Sequence, residues 1–235
     1  MKKVYHSADS RGRSKLDWLD SRHTFSFANY YCPERISFGT LRVLNDDVIM
    51  GGMGFGMHPH QDMEIISIPL KGALTHKDSA GHKEIISENE VQVMSAGTGI
   101  MHSEYNASAT DEAHFLQIWI IPSSKGVEPR YDQKTFSCDR SGVHLLVAPM
   151  NSKKDVLEIN QNAFISKGIL KNGENLEYLK YSKSNGIYIF LIDGELLIEG
   201  QIIRSRDGFG LNGVDKIQMN AMRDSEFIVL EVPMS

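Results

Sequence analysis

Two short motifs contain the residues best suited to bind a metal ion. His58-Pro59-His60 places two imidazoles two residues apart, and His102-Ser103-Glu104 repeats this spacing with an imidazole and a carboxylate. Because residues i and i+2 of a β-strand project from the same face, each pair can point into one barrel interior. Three neutral imidazoles and a carboxylate form a mixed nitrogen and oxygen donor set, which suits a divalent transition metal and leaves positions open for water or substrate.

A second carboxylate could also belong to this site. Glu64 shares the strand parity of the first motif, so we expect it to face the same interior. It is a candidate ligand in place of Glu104, or a base beside the metal. The residue pattern alone leaves both roles open.

The remaining imidazoles and the thiols have a different interpretation. A closed structural zinc site normally uses cysteine, and neither Cys32 nor Cys138 is placed to join the two motifs. No histidine follows position 144, so any use of imidazole is confined to the first part of the chain. Four histidines are interpreted as ordinary structural residues without a partner two positions away: His76, His82, His114 and His144.

The elements that must position these residues are mostly strands. From Ile36 onward, short segments rich in β-branched and aromatic residues alternate with turn formers, a pattern typical of a sandwich or barrel. Near the start, residues 14–20 place Leu16 and Leu19 at helical spacing behind Ser14, which predicts a short amphipathic helix. The predicted fold class is therefore all-β, with a few short helices.

The pattern of one hairpin occurs twice along the chain. Residues 187–200 predict two strands joined at Asp193-Gly194, and residues 65–76 predict two strands joined at Lys71-Gly72. Aligning the two glycines indicates an internal duplication into two similar barrels.

Composition excludes several classes of function. The chain of 235 residues has 41% hydrophobic and 23% charged residues, and none of its apolar runs approaches the roughly 20 residues of a spanning helix. The net charge of −5 gives no attraction to nucleic acid. The polar N-terminus does not resemble a secretory signal, and two distant cysteines favour a reducing compartment, so we expect a cytoplasmic protein without membrane or nucleic-acid partners.

The spacing around the two motifs resembles a known family. Gly52-x5-His58-x-His60-x3-Glu64 is similar to the first cupin motif. The stretches from Phe55 to His60 and from Ala96 to Glu104 resemble the pirin branch of the cupins, with its Phe-Gly-x-His-Pro-His and Ala-Gly-x-Gly-x-x-His-Ser-Glu patterns. The likeness covers most of residues 15–130 specifically, and bacterial pirin-like quercetin 2,3-dioxygenases are the most similar members.

This resemblance implies a ligand set and an activity. Family members hold the metal with three histidines and a glutamate, which correspond here to His58, His60, His102 and Glu104. Glu64 then acts beside the metal or in proton transfer, and the expected catalytic residues are Glu64 and Glu104. The metal expected first is iron(II), with copper, nickel, manganese, cobalt or zinc as alternatives.

The implied reaction is oxidation of a flavonol or a related phenolic compound by dioxygen. An iron-binding regulatory protein that responds to the oxidation state of its metal, without turnover, is the main alternative. A metal isomerase is a further one, because cupin barrels host many chemistries. The oligomeric state is open, with a slight preference for a monomer.

The resemblance also implies two tandem cupin barrels of the double-stranded β-helix or jelly-roll type. We expect a metal-binding barrel over residues 1–135 and a degenerate barrel over residues 136–235. The offset from Gly72 to Gly194 puts Lys180, Ser182 and Gly186 at the positions of the first motif and Glu64. None of them is a histidine or a carboxylate, so the second barrel is expected to bind no metal.

Removing one imidazole should therefore abolish metal binding without unfolding the protein. We expect His58→Ala and His102→Ala each to lose the bound metal and keep the fold, because each removes a ligand and leaves the core intact. Elemental analysis of protein purified without added metal measures this, with Lys180→Ala as the control that keeps its metal. Wild-type metal content in both histidine variants would refute the ligand assignment.

Overall fold

Segments rich in valine, isoleucine and phenylalanine form strands in the computed structural model, which describes residues 1–152 and 154–234. The strands of the first half are β1 (Lys2–His6), β2 (Gly12–Lys15), β3 (Leu19–His23), β4 (Leu41–Ile49), β5 (Gly54–His60), β6 (Glu64–Lys71), β7 (Ala73–Asp78), β8 (Lys83–Ser87), β9 (Glu90–Ser95), β10 (Ile100–Asn106), β11 (Ala113–Ile120) and β12 (Arg130–Thr135). Those of the second half are β13 (Gly142–Pro149), β14 (Leu157–Ile159), β15 (Phe164–Leu170), β16 (Asn175–Leu179), β17 (Asn185–Asp193), β18 (Glu195–Ile198), β19 (Gln201–Arg204), β20 (Gly208–Asn212), β21 (Lys216–Ala221) and β22 (Ser225–Pro233).

Helical structure is limited to short 3-10 turns in the described part of the chain. They span Ala8–Ser10 and Pro33–Arg35. The helix predicted over residues 14–20 is wrong, because these residues end β2 and begin β3, which pair with each other. The ladder from β2 through β3 to β4 outweighs the local helical spacing. No helix in the described residues is long and apolar enough to cross a membrane.

The two halves of the chain repeat one sheet arrangement. Each half has a large sheet and a small sheet. The first large sheet has the order β12-β9-β6-β11-β4-β3-β2, and the second has β1-β20-β17-β22-β15-β13-β14. The small sheets have the orders β5-β10-β7-β8 and β16-β21-β18-β19. Each strand therefore has a counterpart at the same position in the other pair of sheets, which confirms the predicted all-β fold of two tandem barrels.

The two aligned glycines occupy the same turn in each half. Gly72 separates β6 from β7 with φ 74°, and Gly194 separates β17 from β18 with φ 105°. A side chain is strained at positive φ, and at Gly194 a Cβ would also lie 2.4 Å from the carbonyl oxygen of Asp224. The duplication inferred from the hairpins matches this turn geometry.

The first strand of the chain joins the large sheet of the second half. β1, at the start of the chain, pairs with β20 at the edge of the second large sheet. β12 pairs with β9 at the edge of the first large sheet and is followed by β13 of the second half. The predicted boundary between residues 135 and 136 falls in that connection, and the division into two domains stays a prediction.

The main hydrophobic core lies between the two large sheets. It includes side chains from both halves, among them Phe25, Leu41, Leu44, Ile66, Ile68, Val147, Ile165, Tyr188, Phe190 and Leu230. A second continuous cluster, including Leu196, Phe209, Met219 and Phe227, fills the interior of the second barrel. The interior of the first barrel has two smaller clusters, around Phe115 and around Met94. The first barrel therefore packs less of its interior with apolar side chains than the second.

A buried carboxylate connects the two halves beside this core. Asp46 in β4 accepts hydrogen bonds from His114 at 2.6 Å, from Arg206 of the second half at 3.0 Å and from Arg11 at 3.2 Å. Burial acts to raise the pKa of Asp46, but these three partners outweigh it and hold the pKa below its usual value. Asp46 is therefore the counterion of two arginines.

Removing this carboxylate should destabilise the whole chain. We expect Asp46→Ala to lower the free energy of unfolding by about 3–5 kcal/mol, because it leaves the buried Arg11 without a counterion. Urea titration measures the change. Glu112→Ala is the control, since it breaks an exposed ion pair with Lys71 and should cost less than about 1 kcal/mol. Equal stability of the two variants would contradict this account.

Candidate metal centre

The first motif lies on an edge strand, as its proline predicts. β5 is at one edge of its small sheet and has β10 as its neighbour. Along the end of β5, Met57 and Pro59 are exposed, whereas His58 and His60 are half-buried. Pro59 has no N–H to donate, which an edge strand tolerates. The alternation therefore directs both imidazoles to the interior and the proline to solvent.

A β-bulge in β5 adjusts which side chains face inward. His58 is opposite His102 in β10, but Phe55 is opposite Glu104, so β5 has one extra residue between these two pairs. As a result Phe55 and His58, three residues apart, both line the same cavity.

The three histidines converge on one point. His58, His60 and His102 each offer a ring nitrogen, and these nitrogens all lie within 4.8 Å of one another. The ring centroids are 4.5 Å apart for His58 and His102 and 4.8 Å apart for His60 and His102. The structure thus brings together all three predicted imidazoles.

Ring nitrogens of all three histidines are available to a metal ion. His58 Nδ1 lies 2.7 Å from the carbonyl oxygen of Gly56, which places its proton on Nδ1 and leaves Nε2 free. Burial lowers the pKa of His60 to about 4 and that of His102 to about 3, so both rings are neutral near pH 7. Nε2 of His60 and both nitrogens of His102 are buried without a hydrogen-bond partner among the described residues. Unpaired lone pairs on adjacent rings are the arrangement that a metal ion would satisfy.

Glu104 lines the same cavity beside the three imidazoles. It lies outside the group of mutually close nitrogens but is buried on β10, two residues after His102. One carboxylate oxygen accepts a hydrogen bond from Ser67 at 3.0 Å, and the other accepts one from Gln117 at 2.7 Å. These partners fix the carboxylate, and each oxygen keeps a further lone pair.

Glu64 lies elsewhere, and the expectation that it faces the histidines is wrong. Its carboxylate accepts hydrogen bonds from Ser95 at 2.7 Å and from Asn160 of the second half at 3.2 Å. The loop between β5 and β6 changes which alternate residues face the interior. Ser67, on the opposite face of β6 from Glu64, therefore points at Glu104. Burial raises the pKa of Glu64 despite these bonds. A catalytic role for Glu64 stays a prediction that this placement does not support.

A cavity of about 290 Å³ opens in front of the histidines. Its apolar wall includes Leu16, Leu19, Phe27, Phe55 and Trp119, and its polar wall includes Ser14, Ser21, His23, Asn45 and Asp47. Phe55, Gln117 and Trp119 line it, whereas Met57 is 52% exposed and Phe115 is fully buried in the core. The cavity explains why the apolar clusters of the first barrel are small.

The polar wall is held by its own hydrogen bonds. His23 contacts Asn45 at 2.9 Å through Nδ1 and Ser14 at 2.8 Å through Nε2. Asp47 accepts a hydrogen bond from Ser21, and burial raises the pKa of Asp47 to about 8. Burial thus favours the neutral form of this carboxyl group.

One cluster was missed by sequence reasoning. His76 has a partner two residues away, Asp78, at 3.2 Å, and Asp78 also contacts His82 at 2.8 Å. The signal was present as a His-x-Asp spacing on a strand, the same spacing that identified His102 and Glu104. The interpretation of His76 as an isolated residue is therefore wrong.

The positions that correspond to the first motif in the second half have other contacts. Lys180 and Ser182 follow β16, and the Nζ of Lys180 donates to the carbonyl oxygen of Asn185 at 2.6 Å. The buried Glu231 accepts hydrogen bonds from the N–H groups of Tyr181 and Ser182 at 2.9 and 2.8 Å. The polar groups at these positions are therefore engaged in hydrogen bonds within the second half.

Comparison with known proteins agrees with this geometry. Residues 5–120 match the family model described as Pirin, and residues 145–232 match that described as Quercetinase C-terminal cupin domain. A quercetin 2,3-dioxygenase from Escherichia coli (strain K12) is 40% identical over 227 residues, 96% of each chain. A Pirin-like protein from Caulobacter vibrioides is 38% identical over 225 residues, 95% of this chain and 96% of that protein.

A solved structure shows the same fold. The bacterial pirin YhhW from Escherichia coli in complex with nickel(II) matches with a TM-score of 0.94 and 39% identity, and the match covers 100% of both chains. With matching family models in both halves and relatives of this identity along nearly its whole length, the chain belongs to the pirin family.

Proposed function

We propose that this protein is a metal-dependent dioxygenase acting on flavonols or related phenolic compounds. The observation that carries the proposal is the cluster of three imidazoles, with ring nitrogens within 4.8 Å, at the wall of a cavity of about 290 Å³. A relative that covers 96% of this chain is a quercetin 2,3-dioxygenase, which supports a flavonol and dioxygen as the reactants.

The proposed metal ligands are His58, His60, His102 and Glu104. Three neutral nitrogens and one carboxylate suit iron(II), and the same donors accept nickel, copper, cobalt, manganese or zinc. The nickel(II) complex of the related YhhW supports a divalent metal ion as the bound cofactor. Iron(II) stays our first choice, because a redox-active metal supplies the means to bring a flavonol and dioxygen together.

The cavity walls give each part of a phenolic substrate a partner. The rings of Phe55 and Trp119 offer an apolar surface to a flat aromatic molecule. Nε1 of Trp119 is buried without a hydrogen-bond partner among the described residues, so it can donate to a substrate oxygen. Asp47 and Ser21, which line the same cavity, are the proposed partners of the substrate hydroxyl groups. These contacts orient the molecule and displace water.

Glu104 is the proposed proton acceptor for the substrate 3-hydroxyl. It is the carboxylate that lines the cavity beside His102, and Ser67 and Gln117 keep it in one orientation. A base must lie within hydrogen-bond reach of the proton that it takes, and Glu64 on the other face of β6 is hydrogen-bonded away from the cavity.

Turnover distinguishes a dioxygenase from a protein that only binds metal. After anaerobic loading with iron(II), we expect addition of oxygen and quercetin to cause loss of the flavonol absorbance with matching oxygen consumption. Protein carrying His102→Ala, treated in the same way, should show no more loss than metal-free protein. An unchanged flavonol with iron-loaded wild type would instead favour the regulatory alternative.

Two buried glutamates provide a matched test of the fourth ligand. We expect Glu104→Gln to weaken nickel(II) affinity by at least about tenfold, because it removes a charged donor from the site. Glu64→Gln should stay within about twofold of wild type, since Glu64 contacts Ser95 and Asn160 instead. Competition with a chelator gives both affinities. Equal affinities in the two variants, or a larger loss with Glu64→Gln, would contradict the assignment.

A further inference from the structure

His102 has a second imidazole behind it, on the next strand. β10 pairs with β7 as well as with β5, and His76 of β7 is fully buried. The ring centroids of His76 and His102 are 5.3 Å apart, with an angle of 53° between the planes. His76 also packs against Tyr131, whose ring centroid is 4.8 Å away. His76 is thus held in contact with a proposed metal ligand without belonging to the ligand cluster.

A carboxylate fixes the orientation of His76. Asp78 accepts hydrogen bonds through one oxygen from the N–H groups of Ala80 and His82, at 2.9 and 3.0 Å. Its other oxygen contacts His82 Nδ1 at 2.8 Å and His76 Nε2 at 3.2 Å. The Asp78 side chain is fully buried. A carboxylate anchored by a backbone turn in this way is a rigid acceptor.

Three ring nitrogens of His76 and His102 have no hydrogen-bond partner among the described residues. Because His76 Nε2 faces a carboxylate, it carries the ring proton, and Nδ1 of the neutral ring is an acceptor. This Nδ1 is buried without a hydrogen-bond partner among the described residues, and so are both nitrogens of His102. One nitrogen of His102 belongs to the cluster with His58 and His60. The other needs a partner, and a metal-bound imidazole commonly donates its second N–H to a fixed acceptor.

The rings of His76 and His102 are in contact without a hydrogen bond between them in this structure. We infer that His76 and Asp78 are positioning residues for His102: when a metal ion fixes the His102 ring, His76 Nδ1 accepts the N–H that does not face the metal, and Asp78 holds His76 in place. The inference rests on the proposed metal centre. This hydrogen bond leaves the other lone pair of His102 available on the cavity side, and it increases the basicity of that ligand through the chain from His76 to Asp78. His58 is held differently, by the carbonyl oxygen of Gly56.

His82 supplies a matched control for this inference. It contacts the same oxygen of Asp78, but its side chain is 41% exposed and its ring stacks on Tyr131 without belonging to the ligand cluster. Loss of His82 removes one donor from Asp78 and leaves the contact of His76 with His102 intact. His82→Ala is therefore expected to keep nickel(II) affinity within about twofold of wild type.

The test compares two replacements of His76. His76→Phe keeps a ring against Tyr131 and removes both nitrogens, and we expect nickel(II) affinity to fall by about 10–100-fold. His76→Gln keeps an acceptor and a donor, and it should restore most of that affinity. Circular dichroism and thermal melting of the metal-free proteins check the fold. Asp78→Asn tests the same contacts from the other end and should weaken nickel(II) binding in the same direction.

A spectroscopic measurement separates positioning from a general structural effect. In copper(II)-loaded protein, pulsed electron paramagnetic resonance detects the remote nitrogen of each bound imidazole, and its quadrupole frequencies depend on the hydrogen bond that this nitrogen makes. We expect one set of frequencies to change in His76→Phe and to return toward wild type in His76→Gln. The same measurement on Asp78→Asn applies if His76→Phe does not fold.

Wild-type nickel(II) affinity and unchanged remote-nitrogen frequencies in His76→Phe or Asp78→Asn would overturn the inference. Loss of affinity with His82→Ala as large as with His76→Phe would overturn it too. The effect would then come from a destabilised turn around Asp78 and not from the contact of His76 with His102. These results are distinct from failure of the proposed function, in which wild-type protein binds no metal at His58, His60 and His102 or binds it without turnover.

Discussion

The structure depends on the register between two adjacent strands of one small sheet. His58 of β5 lies directly opposite His102 of β10, and the bulge in β5 keeps Phe55 opposite Glu104. A shift of one residue would turn one set of donors to solvent, since side chains alternate along a strand. This register therefore determines whether a metal site exists at all.

Comparison of the two barrels shows that the cavity of the first replaces apolar packing in its interior. Both halves use one strand order, but the interior of the second is filled by a continuous apolar cluster. In the first, buried polar groups such as Asp47, His76, Asp78 and Glu104 replace part of that packing. Each of these groups has hydrogen-bond partners that fix it. Apolar packing in the second barrel and in the shared core offsets the stability that the polar interior costs the first barrel.

Much of this arrangement could be predicted from local patterns. Strand alternation placed His58 and His60 on one face, and the turn glycines Gly72 and Gly194 indicated the duplication. Parity failed for Glu64, because the loop after His60 resets which face of the next strand points inward. The helix predicted over residues 14–20 failed for a related reason, since pairing with β3 is a tertiary contact that periodicity does not contain. The placement of Asn160 beside Glu64, 96 residues apart, was likewise outside the reach of local patterns.

The central claim is that one metal ion is held by His58, His60, His102 and Glu104. Anomalous scattering from a crystal of the protein loaded with iron(II) or nickel(II), measured at the absorption edge of the metal, tests it most directly. The account predicts one anomalous peak within bonding distance of three imidazole nitrogens and a Glu104 oxygen. A peak elsewhere, a second peak in the second barrel, or a ligand set without Glu104 would contradict it.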